Sequence, residues 1–225
     1  MSTLDALRGG LIVSVQAWRG SAIDDPAFIA AMAQSAQEGG AVGVRVEGAG
    51  DLRAVRARVR LPIVGLIKRE YAGFEPYITP GLAEIRQVIE TGAEIVAFDA
   101  TGRPRPDGST VAAAIEVIHD AGRLALADCA TVADAMSAAA AGADAVATTL
   151  CGYTPGTRGR ALPALDVVAE IARLPAFCIC EGGIRLPPQV RAALEAGADA
   201  VVVGTAITNV DWLVREFAGS ADRLS

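Results

Sequence analysis

EAGADAVVVGT, residues 195–205, decides the fold because it has relatives within the chain: EGGAVGVRVEG at 38–48, ETGAEIVAFDA at 90–100 and AAGADAVATTL at 140–150. Each copy reads as a helix end stopped by glycine, a tight turn and a short apolar strand, and successive copies begin about fifty residues apart. Between them lie four more apolar runs of strand length, LIVSVQA (11–17), PIVGLIK (62–68), LALADCA (124–130) and AFCICEG (176–182). Helical patterns such as PAFIAAMAQSAQ, LAEIRQVIE, TVADAMSAAAA and ALDVVAEIARL fill the intervals. Eight strands alternating with helices, and too uniformly apolar to have a wet face, imply an all-parallel sheet covered by helices. The expectation is an α/β fold, a single-domain (β/α)8 TIM barrel spanning residues 1–225. An open doubly wound sheet is the structural rival. The fourfold internal echo and the lack of a Gly-x-Gly-x-x-Gly after the first strand weigh against it.

Composition narrows the function. A chain of 225 residues that is 52% hydrophobic, with mean hydropathy +0.38, can build one large core. A net charge of −6 and pI near 4.9 argue against nucleic acid as a partner. No apolar run suggests a membrane span, and MSTLDALRGG lacks the pattern of a signal peptide, so a cytoplasmic protein with no membrane partner is expected. The four cysteines, Cys129, Cys151, Cys178 and Cys180, show no metal-type clustering and read as reduced thiols. The single histidine, His119, sits at the end of a helical pattern, which leaves little room for a histidine triad or a histidine metal site.

In a barrel the carboxyl ends of the strands converge on one mouth. The strands here end on Gln16, on Arg45 with Glu47, on Lys68, Asp99 and Asp128, on Thr148 with Thr149, on Glu181, and on Gly204 with Thr205. That is a polar ring on an apolar body, the default expectation for a binding site. Gly182, Gly183, Gly204 and Thr205 follow the seventh and eighth strands, where barrels often bind phosphate through backbone N–H groups. Lys68 and Glu181 come from the third and seventh strands, on opposite sides of the ring. A lysine in a partly desolvated mouth loses basicity and a carboxyl there gains it, so the pair could remove and return a proton. A plain ion pair across the mouth and a Schiff-base lysine are the other readings of the same residues. The longest aperiodic segments, TGRPRPDG and CGYTPGTRGRALP, also fall at this end, where a barrel keeps its working loops.

LIVSVQA, AVGVRVEG, PIVGLIKREY, the run from YITPG to DATGRPRP, LALADCAT, TTLCGYT, CEGGI and VVVGTAIT together resemble the N-acylglucosamine-6-phosphate 2-epimerase (N-acetylmannosamine-6-phosphate 2-epimerase) family. The resemblance runs in order from about residue 9 to 217. It implies an isomerase that needs no cofactor and no metal, interconverting N-acetylmannosamine 6-phosphate and N-acetylglucosamine 6-phosphate in sialic acid and amino-sugar catabolism. By position, Lys68 is then the catalytic base at C2 and Glu181 the second acid/base group. Gln16, Arg45 and Asp128 hold the sugar and its N-acetyl group, with Arg45 suited to stabilise enolate charge. The family commonly forms homodimers, and Trp212, Leu213 and Phe217 of DWLVREFA offer an apolar face for one. Two departures from the family pattern matter, beside Val15 where cysteine commonly precedes the glutamine. Gly183 stands where Arg or Lys is usual, and Asn209 where Arg is usual. A Schiff-base lyase using Lys68 and a non-catalytic amino-sugar-binding barrel are the alternative functions.

Overall fold

The computed structural model of the chain describes residues 2–221. Its eight strands are β1 (Leu11–Val15), β2 (Gly43–Glu47), β3 (Ile63–Leu66), β4 (Ile95–Asp99), β5 (Leu124–Asp128), β6 (Ala145–Ala147), β7 (Phe177–Glu181) and β8 (Ala200–Val203). Every neighbouring pair is parallel, and β8 pairs back onto β1, closing the ring. The barrel expected from the repeat is therefore the one observed.

Helices cover the outside: α2 (Pro26–Glu38), α3 (Ala49–Arg56), α4 (Leu82–Ile89), α5 (Val111–Asp120), α6 (Val132–Ala140), α7 (Leu165–Ile171) and α8 (Pro187–Glu195). The terminal helix expected at DWLVREFA is α10 (Val210–Ala221), and two short helices were not separated by periodicity, α1 (Thr3–Leu7) and the one-turn α9 (Thr205–Thr208). Leu7 of α1 joins the cluster that fills the barrel interior, with Ile12, Val64, Leu66, Ile95, Leu126, Phe177 and Ile179. So the barrel centre is a packed core, and the first helix contributes to it.

The period of two along each strand decides which residues face in. Phe177 and Ile179 belong to the interior cluster, so Glu181 faces inward one step higher. Cys178 and Cys180 share the opposite face, under the helices, where burial raises their thiols to about 12 and about 11 and keeps them protonated. In β3, Val64 and Leu66 point inward, and Lys68 continues that face two residues past the strand's end.

Candidate active site

The polar ends of the strands surround a cavity of about 310 Å³ at the carboxyl mouth. Its wall includes Gln16, Lys68, Thr149, Glu181, Gly182, Gly183, Gly204 and Thr205 from the expected ring. Sequence reasoning had not singled out Ser14, Tyr77, Tyr153 or Thr208, which also line it. Ser14 could have been found, since it sits two residues before Gln16 on the inward face of β1.

Arg45 and Asp128 lie beneath that wall rather than on it, 1% and 0% exposed. Arg45 donates through both terminal nitrogens to Asp128, at 3.0 and 2.7 Å, a bidentate pair. The same guanidinium stands 3.0 Å from Glu181 Oε2. Burial alone would make Arg45 easier to deprotonate. The carboxylates of Asp128 and Glu181 outweigh it, so the guanidinium stays charged. In this arrangement Arg45 and Asp128 reach the cavity through Glu181 and Thr149.

Glu181 is held from several sides. Its backbone N–H donates to Thr148 Oγ1, and its carbonyl accepts from the same hydroxyl. Thr149 Oγ1 lies 2.6 Å from Asp128 Oδ1 and 3.1 Å from Glu181 Oε2. A hydroxyl carries one proton, so Thr149 can donate to only one of the two carboxylates at a time, and Asp128 is the nearer. Burial pushes Glu181 above the ordinary carboxylate range and Asp128 adds to that, with Arg45 opposing. The Thr149 hydroxyl and Lys68 oppose it too, and burial outweighs them, leaving a carboxyl able to hold a proton.

Lys68 is held differently. Its ammonium donates to Gln16 Oε1 at 2.6 Å, and Gln16 Nε2 donates to Ser14 Oγ at 2.8 Å. The side chain meets the water of the open cavity, yet protein atoms crowd it on every wall. That crowding lowers its pKa, and the charge of Arg45 lowers it further. Displacement of the water by a bound molecule strengthens both effects.

The glycine turns after β7 and β8 complete the wall. Gly183 has φ +72, and a Cβ placed there would sit 2.2 Å from Leu162 Cβ, so the loop leading to α7 leaves no room for a side chain. Asn209 accepts the Trp212 N–H at 2.9 Å and caps the start of α10. Each of these two departures from the family pattern thus has a local structural reason. Arg185 stacks over Trp212 at 5.4 Å and lines the cavity. It and Lys68 are the side-chain cations of the described wall.

Of the two long loops, CGYTPGTRGRALP gives Tyr153 to the wall, and its Leu162 packs on Gly183. TGRPRPDG gives no wall residue. Its Arg103 pairs with Asp99 and its Arg105 donates to backbone carbonyls behind the third and fourth strands. Among the described residues no cluster of His, Cys, Asp and Glu has the arrangement of a metal site.

Comparison with known proteins gives a consistent result. Residues 29–223 match the family described as "Putative N-acetylmannosamine-6-phosphate epimerase". Curated relatives named "Putative N-acetylmannosamine-6-phosphate 2-epimerase" include one from Clostridium perfringens, 38% identical over 215 residues, covering 95% of this chain and 97% of the relative. Another, from Synechococcus elongatus, is 45% identical over 218 residues, covering 95% and 94%. The solved N-acetylmannosamine-6-phosphate 2-epimerase from C. perfringens superposes with TM-score 0.94 at 36% identity, covering 97% of this chain and 96% of that one. A thiamine phosphate pyrophosphorylase from Pyrococcus furiosus, at 15% identity and TM-score 0.63, shares the fold alone.

Proposed function

The chain belongs to the N-acetylmannosamine-6-phosphate epimerase family, and from that premise we propose how its cavity performs the reaction. The protein is an isomerase, a 2-epimerase that interconverts N-acetylmannosamine 6-phosphate and N-acetylglucosamine 6-phosphate. Inversion at C2 needs a proton removed from one face and returned to the other. That proton is acidic only next to a carbonyl, which the aldehyde form of the sugar supplies at C1.

Lys68 is the base. As it takes the C2 proton, the C–H electron pair moves into the C1–C2 bond and onto the C1 oxygen, giving an enolate. Glu181 returns a proton to the opposite face of C2 as the carbonyl re-forms, and proton exchange with water resets the pair. The observation that carries this reading is that Lys68 and Glu181 line one cavity, with a lowered lysine and a raised carboxyl. Tyr77, kept protonated by burial on the same wall, is suited to donate to the enolate oxygen.

Gln16 contacts the sugar from the Lys68 side. Arg45 and Asp128 act on it from below by fixing Glu181. Backbone N–H groups at Gly182, Gly183, Gly204 and Thr205 hold the phosphate, and Arg185 supplies the cation that Gly183 and Asn209 do not. No cofactor or metal enters this scheme. Of the apolar face expected on α10, Trp212 and Leu213 are half-buried, and Phe217, 77% exposed, with Val214 at 60%, supports a homodimer. Among the described residues no helix is long and apolar enough to cross a membrane, and a sugar phosphate substrate, too charged to cross one unaided, supports a cytoplasmic location.

Purified protein given N-acetylmannosamine 6-phosphate forms N-acetylglucosamine 6-phosphate without added metal or cofactor. Borohydride added during turnover leaves no adduct on Lys68. A covalent adduct would favour the Schiff-base lyase instead, and binding without product the amino-sugar-binding barrel.

A further inference from the structure

We propose that Thr79 is the positioning residue for Lys68: a threonine held in left-handed backbone conformation whose hydroxyl joins β3 to β4 where their own pairing stops. The two strands pair only through Val64 with Ile95 and Gly65 with Val96. Past that point residues 77–79 lie between them. Lys68 pairs antiparallel with Ile78, the Arg69 N–H donates to the Tyr77 carbonyl, and the Asp99 N–H donates to the Ile78 carbonyl.

Thr79 closes this wedge. Its N–H donates to the Ile67 carbonyl at 2.7 Å, and its Oγ1 accepts the Ile67 N–H at 3.2 Å. The same hydroxyl donates to the Ala97 carbonyl at 2.6 Å. Both backbone groups of the residue before Lys68 are therefore bound by one threonine, which also ties them to β4. Thr79 is fully buried with φ +44, unusual for any residue but glycine and more so for a β-branched one, and Pro80 narrows its choices further. Such a conformation persists only where its surroundings enforce it. Here Arg105, 6% exposed, donates to the Thr79 carbonyl at 3.1 Å and to the Asp99 carbonyl at 2.6 Å. A plain β3–β4 ladder would satisfy the same backbone groups with no left-handed residue. What the wedge adds is a fixed path for residues 67 and 68, the two groups the Thr79 hydroxyl and backbone bind being those of Ile67.

The inference rests on Lys68 as the proton-transfer group. Thr79→Val keeps the shape and the branching but removes both hydroxyl hydrogen bonds, while Thr79→Ser keeps the hydroxyl. Thr79→Val is expected to lower kcat about 10- to 100-fold, the scale of a small misplacement of a reacting group, with KM within about threefold. Thr79→Ser stays within about threefold of the parent in both. In the Lys68→Met background Thr79→Val costs nothing further, because it acts through the missing side chain. Should Thr79→Val fold poorly, Arg105→Gln replaces it, with a kcat loss of about tenfold expected and again none beyond Lys68→Met. Parent-like kcat in Thr79→Val, an equal loss in Thr79→Ser, or losses that multiply with Lys68→Met would each overturn the clamp. If Lys68→Met itself keeps turnover, the reading of Lys68 fails; if only Thr79→Val keeps it, the clamp alone fails.

Discussion

Glu181 and Lys68 line one cavity but are held by opposite means. Glu181 is gripped by side-chain chemistry: the Arg45 charge at 3.0 Å, the Thr149 hydroxyl, and Asp128 behind both, all in a nearly dry layer. The Lys68 ammonium has one hydrogen bond, to Gln16, and meets open water, while the backbone under it is locked by residues 77–79, of which Ile78 and Thr79 are buried. One wall fixes a carboxyl and its proton. The other fixes only where a long, flexible side chain begins. A group that must hold a proton inside a protein needs neutralised, satisfied surroundings, whereas a base that reaches toward substrate needs an anchored root and a free tip.

The largest effects come from removing the two groups themselves. Lys68→Met and Glu181→Gln each lower kcat by about 10²- to 10⁴-fold with little change in the thermal unfolding midpoint, since Lys68 lies on the open wall and Glu181→Gln keeps the side chain's shape. Loss of only a few-fold in either, measured on folded protein, would break the comparison at its root.

Next comes the asymmetry in support. Asp128→Ala leaves Arg45 buried without its bidentate partner and is expected to cost about 3–5 kcal/mol of stability in denaturant unfolding. Gln16→Ala, on the wet wall, stays within about 0.5 kcal/mol by the same measurement. Equal costs would mean that the two walls are not built differently.

The pH profile sharpens the same point. Turnover needs one proton shared between the pair, so activity falls at low pH, where both groups are protonated, and at high pH, where neither is. Burial raises Glu181 above its ordinary 4.5 and lowers Lys68 below its ordinary 10.5. Both limbs of the kcat/KM bell therefore lie inside that interval, and they belong to the pair as a whole. A profile still rising at 10.5 would contradict the lowered lysine. A further modest effect concerns the start of α10. Asn209→Ala removes the cap of α10 and costs about 1 kcal/mol, read as a small drop in the unfolding midpoint.

The barrel was legible because its signal is periodic: glycine-stopped helix ends followed by apolar strands recur at one interval, and the chain has a strand wherever the pattern asks for one. The ring of polar strand ends was legible for the same reason, since a period of two carries Glu181 and Lys68 inward once Ile179 and Leu66 are in the core. Two things were not legible. Arg45 and Asp128 read as substrate ligands, but whether a strand-end charge lies on the wall or under it depends on which opposite charge lies across the barrel. The Arg45 to Asp128 pairing spans 83 residues of sequence. The wedge at residues 77–79 was invisible because nothing local marks a threonine before proline as left-handed. Arg105, buried 26 residues further on, helps impose that conformation.

The most direct test is isotope entry at C2. With N-acetylmannosamine 6-phosphate in heavy water, deuterium enters C2 of both substrate and product, Lys68→Met and Glu181→Gln abolish or sharply slow that entry, and the unphosphorylated sugar exchanges more slowly because the glycine turns and Arg185 have no phosphate to hold. Product formed with protium retained at C2, or no exchange under any condition, would contradict proton transfer between Lys68 and Glu181.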